Sequence, residues 1–193
     1  MEQSLSSLSF LVLVSLCKAL TINDICTNGR PCPEYTLVAL NEDFESRLYV
    51  ETRWITTQIK DDQIIDVIAA HNRLKNFCDR QKAKGFPMPN SWPVLITFTE
   101  GANANMSWFV PNETEVALTS DTDVVLQTRP RGTVYVKKFR ERPSKQTGQK
   151  NKDKLQEALR QAGKSFVNNR YSGAGYTSYY ALQQYNEIWM TAL

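Results

Sequence analysis

Asp61–Gln81, DDQIIDVIAAHNRLKNFCDRQ, reads as one amphipathic helix of roughly six turns. Ile64, Val67, Ile68, His71, Leu74 and Cys78 recur at i, i+3, i+4, i+7 spacing and form a single stripe. Asp66 and Arg73 fall on the opposite side. Asp61 and Asp62 sit where the helix dipole favours carboxylates, Arg80 and Lys82 where it favours cations, and Gly85 stops the helix. The centre of the stripe holds the only histidine of the chain, and Lys75 lies one turn further along the same face. A lysine is out of place on a face that packs wholly into a core. The second half of this face therefore lies either at the edge of the core or beside a groove, and the groove is the expectation.

Outward from the helix, both flanks read as strands. Before it come Tyr35–Leu40, a link at Asn41–Asp43, and Glu45–Ile59, ESRLYVETRWITTQI, which predicts one long strand rich in Tyr, Val, Trp, Ile and Thr. After it come a proline-rich connection, Gly85–Pro93, and strands over Val94–Thr99 and Met106–Val110, the second ended by Pro111. The order then repeats. Val124–Thr128 and Thr133–Phe139 read as strands around an Arg131-Gly132 turn, and a basic, polar link covers Arg140–Lys150. A second helix is predicted from Asn151 to Ala162, with Leu155, Ala158, Leu159 and Ala162 as its stripe and Gly163 as its cap. Strands over Tyr176–Gln183 and Glu187–Thr191 finish the chain. Each half thus reads strand, strand, helix, strand, strand. That pattern predicts one α+β domain, a mostly antiparallel sheet with two helices on it. Eight strands in one small domain are expected to curl into a barrel, because a flat sheet would expose its edges.

Composition narrows the function. The chain has 193 residues, 41% of them hydrophobic, enough for one core. The net charge of +3 is mild, and the basic residues, modestly concentrated over Arg129–Lys154, are not interleaved with stacking aromatics. Nucleic acid is therefore not the expected partner. Leu8–Leu16, LSFLVLVSL, followed by Cys17 and Ala19, reads as a secretory signal peptide over residues 1–19, leaving 20–193 as the single domain. The apolar run is too short for a bilayer core of about 30 Å, so no membrane span is expected. Cys26 and Cys32 flank TNGRP with its Asn28-Gly29 turn pair; a disulfide there would contribute roughly 2 kcal/mol, leaving Cys78 as a free thiol. Asn105-Met106-Ser107 and Asn112-Glu113-Thr114 are acceptors for N-glycans in an exported chain. With one histidine, no Ser-His-Asp or Cys-His set can be assembled, and no CxxC pair exists to complete a metal site. An enzyme is not expected.

Several runs carry a family resemblance. Thr133-Val134-Tyr135-Val136 with Phe139, Ala174-Gly175-Tyr176 with Ser178, and Asn186-Glu187-Ile188-Trp189 are similar to signatures of the SOUL/heme-binding protein family. Phe44–Tyr49 resembles that family's YEIR-x-Y strand, and Trp108-Phe109-Val110-Pro111 its FxVP segment. The resemblance covers about residues 33–193 and is densest at the C-terminal end. It implies a distorted eight-stranded antiparallel β-barrel with two helices and a pseudo-twofold repeat. It also implies a relation in fold to ligand-sensing domains of bacterial multidrug regulators, and binding of haem or other tetrapyrroles in a shallow apolar groove beside the first helix. The chain departs from the pattern in three places. Leu48 stands where some members carry a histidine, Asn90-Ser91-Trp92 replaces the residues before Pro93-Val94, and Asp79-Arg80-Gln81 replaces a glycine-containing turn.

Haem needs an apolar surface for its ring, cations for two propionates and, optionally, an axial ligand. Ile64, Val67, Ile68 and Leu74 are the candidates for the ring, Arg73 or Lys75 for the propionates, and His71 for the iron, with Cys78 as a second candidate ligand. His71 and Cys78 are about 10 Å apart along the helix and cannot serve one iron from one side. Two readings follow: a secreted haem or porphyrin binder, or an extracellular interaction protein that uses the same barrel without a physiological tetrapyrrole.

Overall fold

The computed structural model describes residues 25–26, 30–61, 63–117 and 123–193. The expected signal peptide, the Asn28-Gly29 turn and Asp62 lie outside the described residues. Nine strands form one antiparallel sheet: β1 Tyr35–Leu40, β2 Glu45–Tyr49, β3 Thr52–Gln58, β4 Val94–Thr99, β5 Asn105–Val110, β6 Val125–Arg129, β7 Gly132–Phe139, β8 Arg170–Gly175 and β9 Asn186–Thr191. The helices are α1, Ile64–Ala83, between β3 and β4, and α2, Lys145–Gln161, between β7 and β8.

The sheet order is β1-β2-β7-β9-β8-β4-β5-β3-β6, and the sheet curls into a half-barrel. The order contains the expected repeat. In each half a strand leads into a helix and two further strands, and the third strand inserts between the other two: β3-α1-β4-β5 gives β4-β5-β3, and β7-α2-β8-β9 gives β8-β9-β7. The halves meet where β8 pairs with β4. Each half then lends its leading strand to the other, since β2 pairs with β7 and β6 pairs with β3. Eight strands therefore obey the pseudo-twofold, and β1 is an added edge strand on β2.

Three boundaries differ from those predicted. The run Glu45–Ile59 is two strands, broken at Val50-Glu51, because β2 and β3 belong to different halves of the sheet. The expected link Arg140–Lys150 is helical from Lys145 onward. Pro143 precedes Ser144, whose Oγ accepts the Thr147 N–H while Thr147 Oγ1 accepts the Ser144 N–H; this reciprocal cap starts the helix early. The strand expected at Tyr176–Gln183 lies instead at Arg170–Gly175. Gly173 and Gly175 hide the strand pattern there, whereas the Tyr-rich run after it turns back on itself. Gln184 Nε2 donates to the carbonyls of Ser178, Tyr179 and Ala181 and fixes that turn.

Both helices lie on one face of the sheet. α1 packs on β3 and β5, burying Ala70, Leu74 and Phe77 against Ile55, Met106 and Val110. α2 packs on β7 and β9, burying Leu155 and Leu159 against Tyr135, Ile188 and Met190. The opposite, inner face carries Trp54, Leu95, Phe109, Val136 and Trp189. One end of that inner face is plugged from the N-terminal side. Cys26 and Cys32 are disulfide-bonded, and Ile25 is buried beside Tyr49 and Trp189.

Candidate functional site

With α1 over β3 and β5 and α2 over β7 and β9, the outer face of the central pair β4–β8 runs between the helices. Its side chains alternate. Leu95, Thr97, Ser172 and Ala174 point inward and are buried, while Val94, Ile96, Phe98, Tyr171, Gly173 and Gly175 point outward and are half-exposed. Phe98 and Tyr171 come from paired positions and stack at 5.0 Å with ring planes 19° apart. Phe98 packs with the α1 cluster and Tyr171 with the α2 cluster, so the stack bridges the two halves. A Cβ placed on Gly173 would meet nothing within 4 Å, so the space above it is open. The result is a mostly apolar, half-exposed strip of sheet, the floor, between two helical walls. Its Phe98 end opens into a cleft of about 580 Å³ bordered by Ile59, Gln63 and Asn103.

The α1 wall presents part of the expected set. Ile64 is 70% exposed and Ile68 53%. At helical spacing they share a flank with His71 and Lys75. The His71 ring meets the Trp108 ring at 5.1 Å, and Trp108 pairs with Val94 on β4, so this flank faces the groove. Val67 is half-buried below it. Leu74 is fully buried in the core and supports the wall from behind. Arg73 lies on the other flank, where it donates to Thr57 Oγ1 and the Gln58 carbonyl of β3. Lys75 is exposed and paired with Asp79. Cys78 is half-buried with its Sγ directed at Met88 Sδ; burial pushes its thiol up to about 11, so it stays protonated and is a poor iron ligand.

The sequence reading missed the groove floor and one cation. Lys152 of α2 holds its Nζ 5.7 Å from the Tyr171 ring centroid, on the wall facing α1. Lys152 already lay in the predicted helix, but its place beside Tyr171, like the floor itself, was legible only with β8 recognised as a strand. The structure thus brings Ile64, Ile68, His71 and Lys75 to the groove but places Leu74 and Arg73 elsewhere. The two glycosylation candidates also separate: Asn112 is exposed in the turn after β5, while Asn105 begins β5, partnered by Thr97 on one side and Gln58 on the other.

The residues that carry the family signature form a different feature. On the inner face, Glu187 and Arg47 are both fully buried and joined by two hydrogen bonds, Arg47 Nη2 to Oε1 at 2.8 Å and Nη1 to Oε2 at 3.1 Å. Glu187 also accepts from Tyr176, Tyr185 and Trp189 Nε1. Arg47 donates to Tyr49 and Glu45 and lies over the Tyr35 ring. Burial alone would lower the guanidinium pKa, but the Glu187 carboxylate and the Tyr49 oxygen beside it more than offset this and keep it charged. Burial, reinforced by the Glu187 charge, raises the Tyr49, Tyr176 and Tyr185 phenols and keeps them neutral, Tyr176 and Tyr185 as donors to Glu187 and Tyr49 as an acceptor from Arg47. Every member is satisfied within the protein, so the network holds the two halves together and offers no open coordination.

The fold and groove define a two-helix, curled-sheet α+β domain built from two strand-swapped halves. The chain belongs to the SOUL heme-binding protein family, whose model matches residues 30–191. Among curated relatives it is 25% identical to Heme-binding protein 2 of Mus musculus over 160 residues, 76% of this chain and 77% of that one. It is likewise 25% identical to Heme-binding protein 2 of Homo sapiens over 157 residues, with the same shares covered. Among solved structures, the EcmrR C-terminal domain superposes with a TM-score of 0.59 at 8% identity, covering 82% of this chain and 98% of that one. That likeness is one of fold.

Proposed function

We propose that this chain is a secreted, non-covalent binder of haem or another porphyrin and holds the ring in the groove between α1 and α2. One observation carries the reading: the outer face of β4–β8 is mostly apolar and half-exposed, with exposed isoleucines on the wall beside it. A planar macrocycle can lie on Ile96, Phe98, Tyr171 and Gly173 and cover Ile64 and Ile68. Removing such surface from water is worth several kcal/mol at roughly 25 cal/mol per Å². Lys152 and Lys75 supply cations for propionates, and the exposed His71 would hold iron. Family membership and the names of the relatives support the ligand class. The hydrophobic leader, the Cys26–Cys32 disulfide and the Asn112 turn support export.

Hemin titration tests the ligand. Wild type is expected to give a saturable, stoichiometric Soret band at micromolar concentration. His71→Ala should shift that band and weaken hemin while leaving metal-free protoporphyrin nearly unchanged. Equal spectra for both proteins would remove His71 from the site, and no saturable band in wild type would remove the haem reading. Export has its own test. Protein recovered from the medium of secreting cells should begin near Leu20 and lose mass on glycosidase treatment, with Asn112→Gln removing most of that shift. An intact Met1 with no shift would contradict it.

A further inference from the structure

On the inner face, away from the groove, the side chain of Arg129 reaches from edge strand β6 to the central strands. Its guanidinium lies 5.1 Å from the Trp54 ring centroid, and Nη2 donates to Thr97 Oγ1 at 3.2 Å. Thr97 Oγ1 in turn meets Ser172 Oγ at 2.8 Å across the β4–β8 pair. Arg170, two residues before Ser172, is exposed and projects to the same face. Among the described residues no carboxylate pairs with either arginine. Burial, and then the like charge of Arg170, pull Arg129 down to about 10. The contrast with Arg47 is sharp, since that guanidinium is deeper but fully matched by Glu187. A largely buried guanidinium with a second cation beside it and no anion is costly to fold. Its remaining N–H donors form a fork suited to a planar or tetrahedral oxyanion.

We propose that Arg129 and Arg170, with the Thr97–Ser172 hydroxyl pair, form an anion site on the inner face that takes the carboxylate or phosphate group of a small ligand. Trp54 lies buried beneath the Arg129 guanidinium, so its fluorescence reports on that guanidinium. The site lies across the sheet from the groove, so it stands whether or not a porphyrin binds there.

Inorganic phosphate and acetate, each titrated at constant ionic strength against chloride, are the probes. The readouts are the unfolding midpoint and tryptophan fluorescence. Wild type should show a saturable rise in midpoint and a fluorescence change with at least one probe. A response to phosphate alone assigns a phosphoryl group, and a response to acetate assigns a carboxylate. Arg170→Gln, a surface change that leaves the fold intact, should weaken the apparent affinity on the order of tenfold or more, and Arg129→Gln should abolish it. A rise that chloride reproduces, one undiminished in Arg170→Gln, or no rise with either probe overturns the proposal.

Discussion

Glu187→Ala is expected to cost about 3–5 kcal/mol of folding stability, because it removes the buried partner of the Arg47 guanidinium and leaves it only Glu45, a carboxylate already shared with Lys138. The same change strands Tyr176, Tyr185 and Trp189 Nε1, all of which donate to that carboxylate. For a chain of this size the unfolding midpoint should fall by about 6–20 °C. The double variant Arg47→Met with Glu187→Leu removes both charges and should be less destabilised than Glu187→Ala. It will not recover fully, since the phenols remain without an acceptor. Chemical denaturation of the three proteins checks the order. A loss below about 1 kcal/mol in Glu187→Ala would show that the network does not bear on stability. Because the network faces away from α1 and α2, folded Glu187→Ala should still bind porphyrin with near-normal affinity.

This placement explains which parts of the molecule were legible in sequence. The signature runs around Arg47, Tyr49, Tyr176, Glu187 and Trp189 gave the fold because they are the network that joins the two halves. They said nothing direct about a ligand, since each of these side chains is consumed internally. The helix stripe was legible to within one flank. Periodicity locates an apolar face but not its edges, and Leu74 at the centre is buried while Ile64 and Ile68 at the margin are open. Arg73 seemed available for a ligand because spacing cannot reveal a bond to Thr57 on a neighbouring strand. The floor was the hardest part. Its key strand, RYSGAG at Arg170–Gly175, has two glycines facing the groove and little β-propensity, so its strand character comes from pairing with β4 and β9. The strand count illustrates the same limit. Eight was expected from one fused strand plus β1, whereas the eight that obey the repeat are β2–β9.

Gly173→Leu is expected to abolish or severely weaken ring binding without unfolding the protein. The substituted side chain would rise from the middle of the floor into open space, so it meets no protein atom that must move. Glycine inside a strand is itself weakening, which makes a neutral or slightly favourable effect on stability the expected outcome. A planar ligand cannot lie flat across a protruding isobutyl group. Loss of that contact should weaken binding by at least about tenfold, equivalent to about 1.4 kcal/mol. Ile68→Asp attacks the same site from the α1 wall by placing a charge beside the ring, and its exposure in the native protein leaves the core undisturbed.

The most direct measurement of the groove assignment is a parallel titration of wild type and Gly173→Leu with metal-free protoporphyrin, followed by absorbance and tryptophan quenching, with unfolding midpoints recorded for both. Without iron, ligation by His71 drops out and only the fit of the ring to the floor is read. Saturable binding by wild type, its loss in Gly173→Leu, and equal midpoints are the predicted result. Equal affinity of the two folded proteins would contradict it and place the ring elsewhere on the molecule.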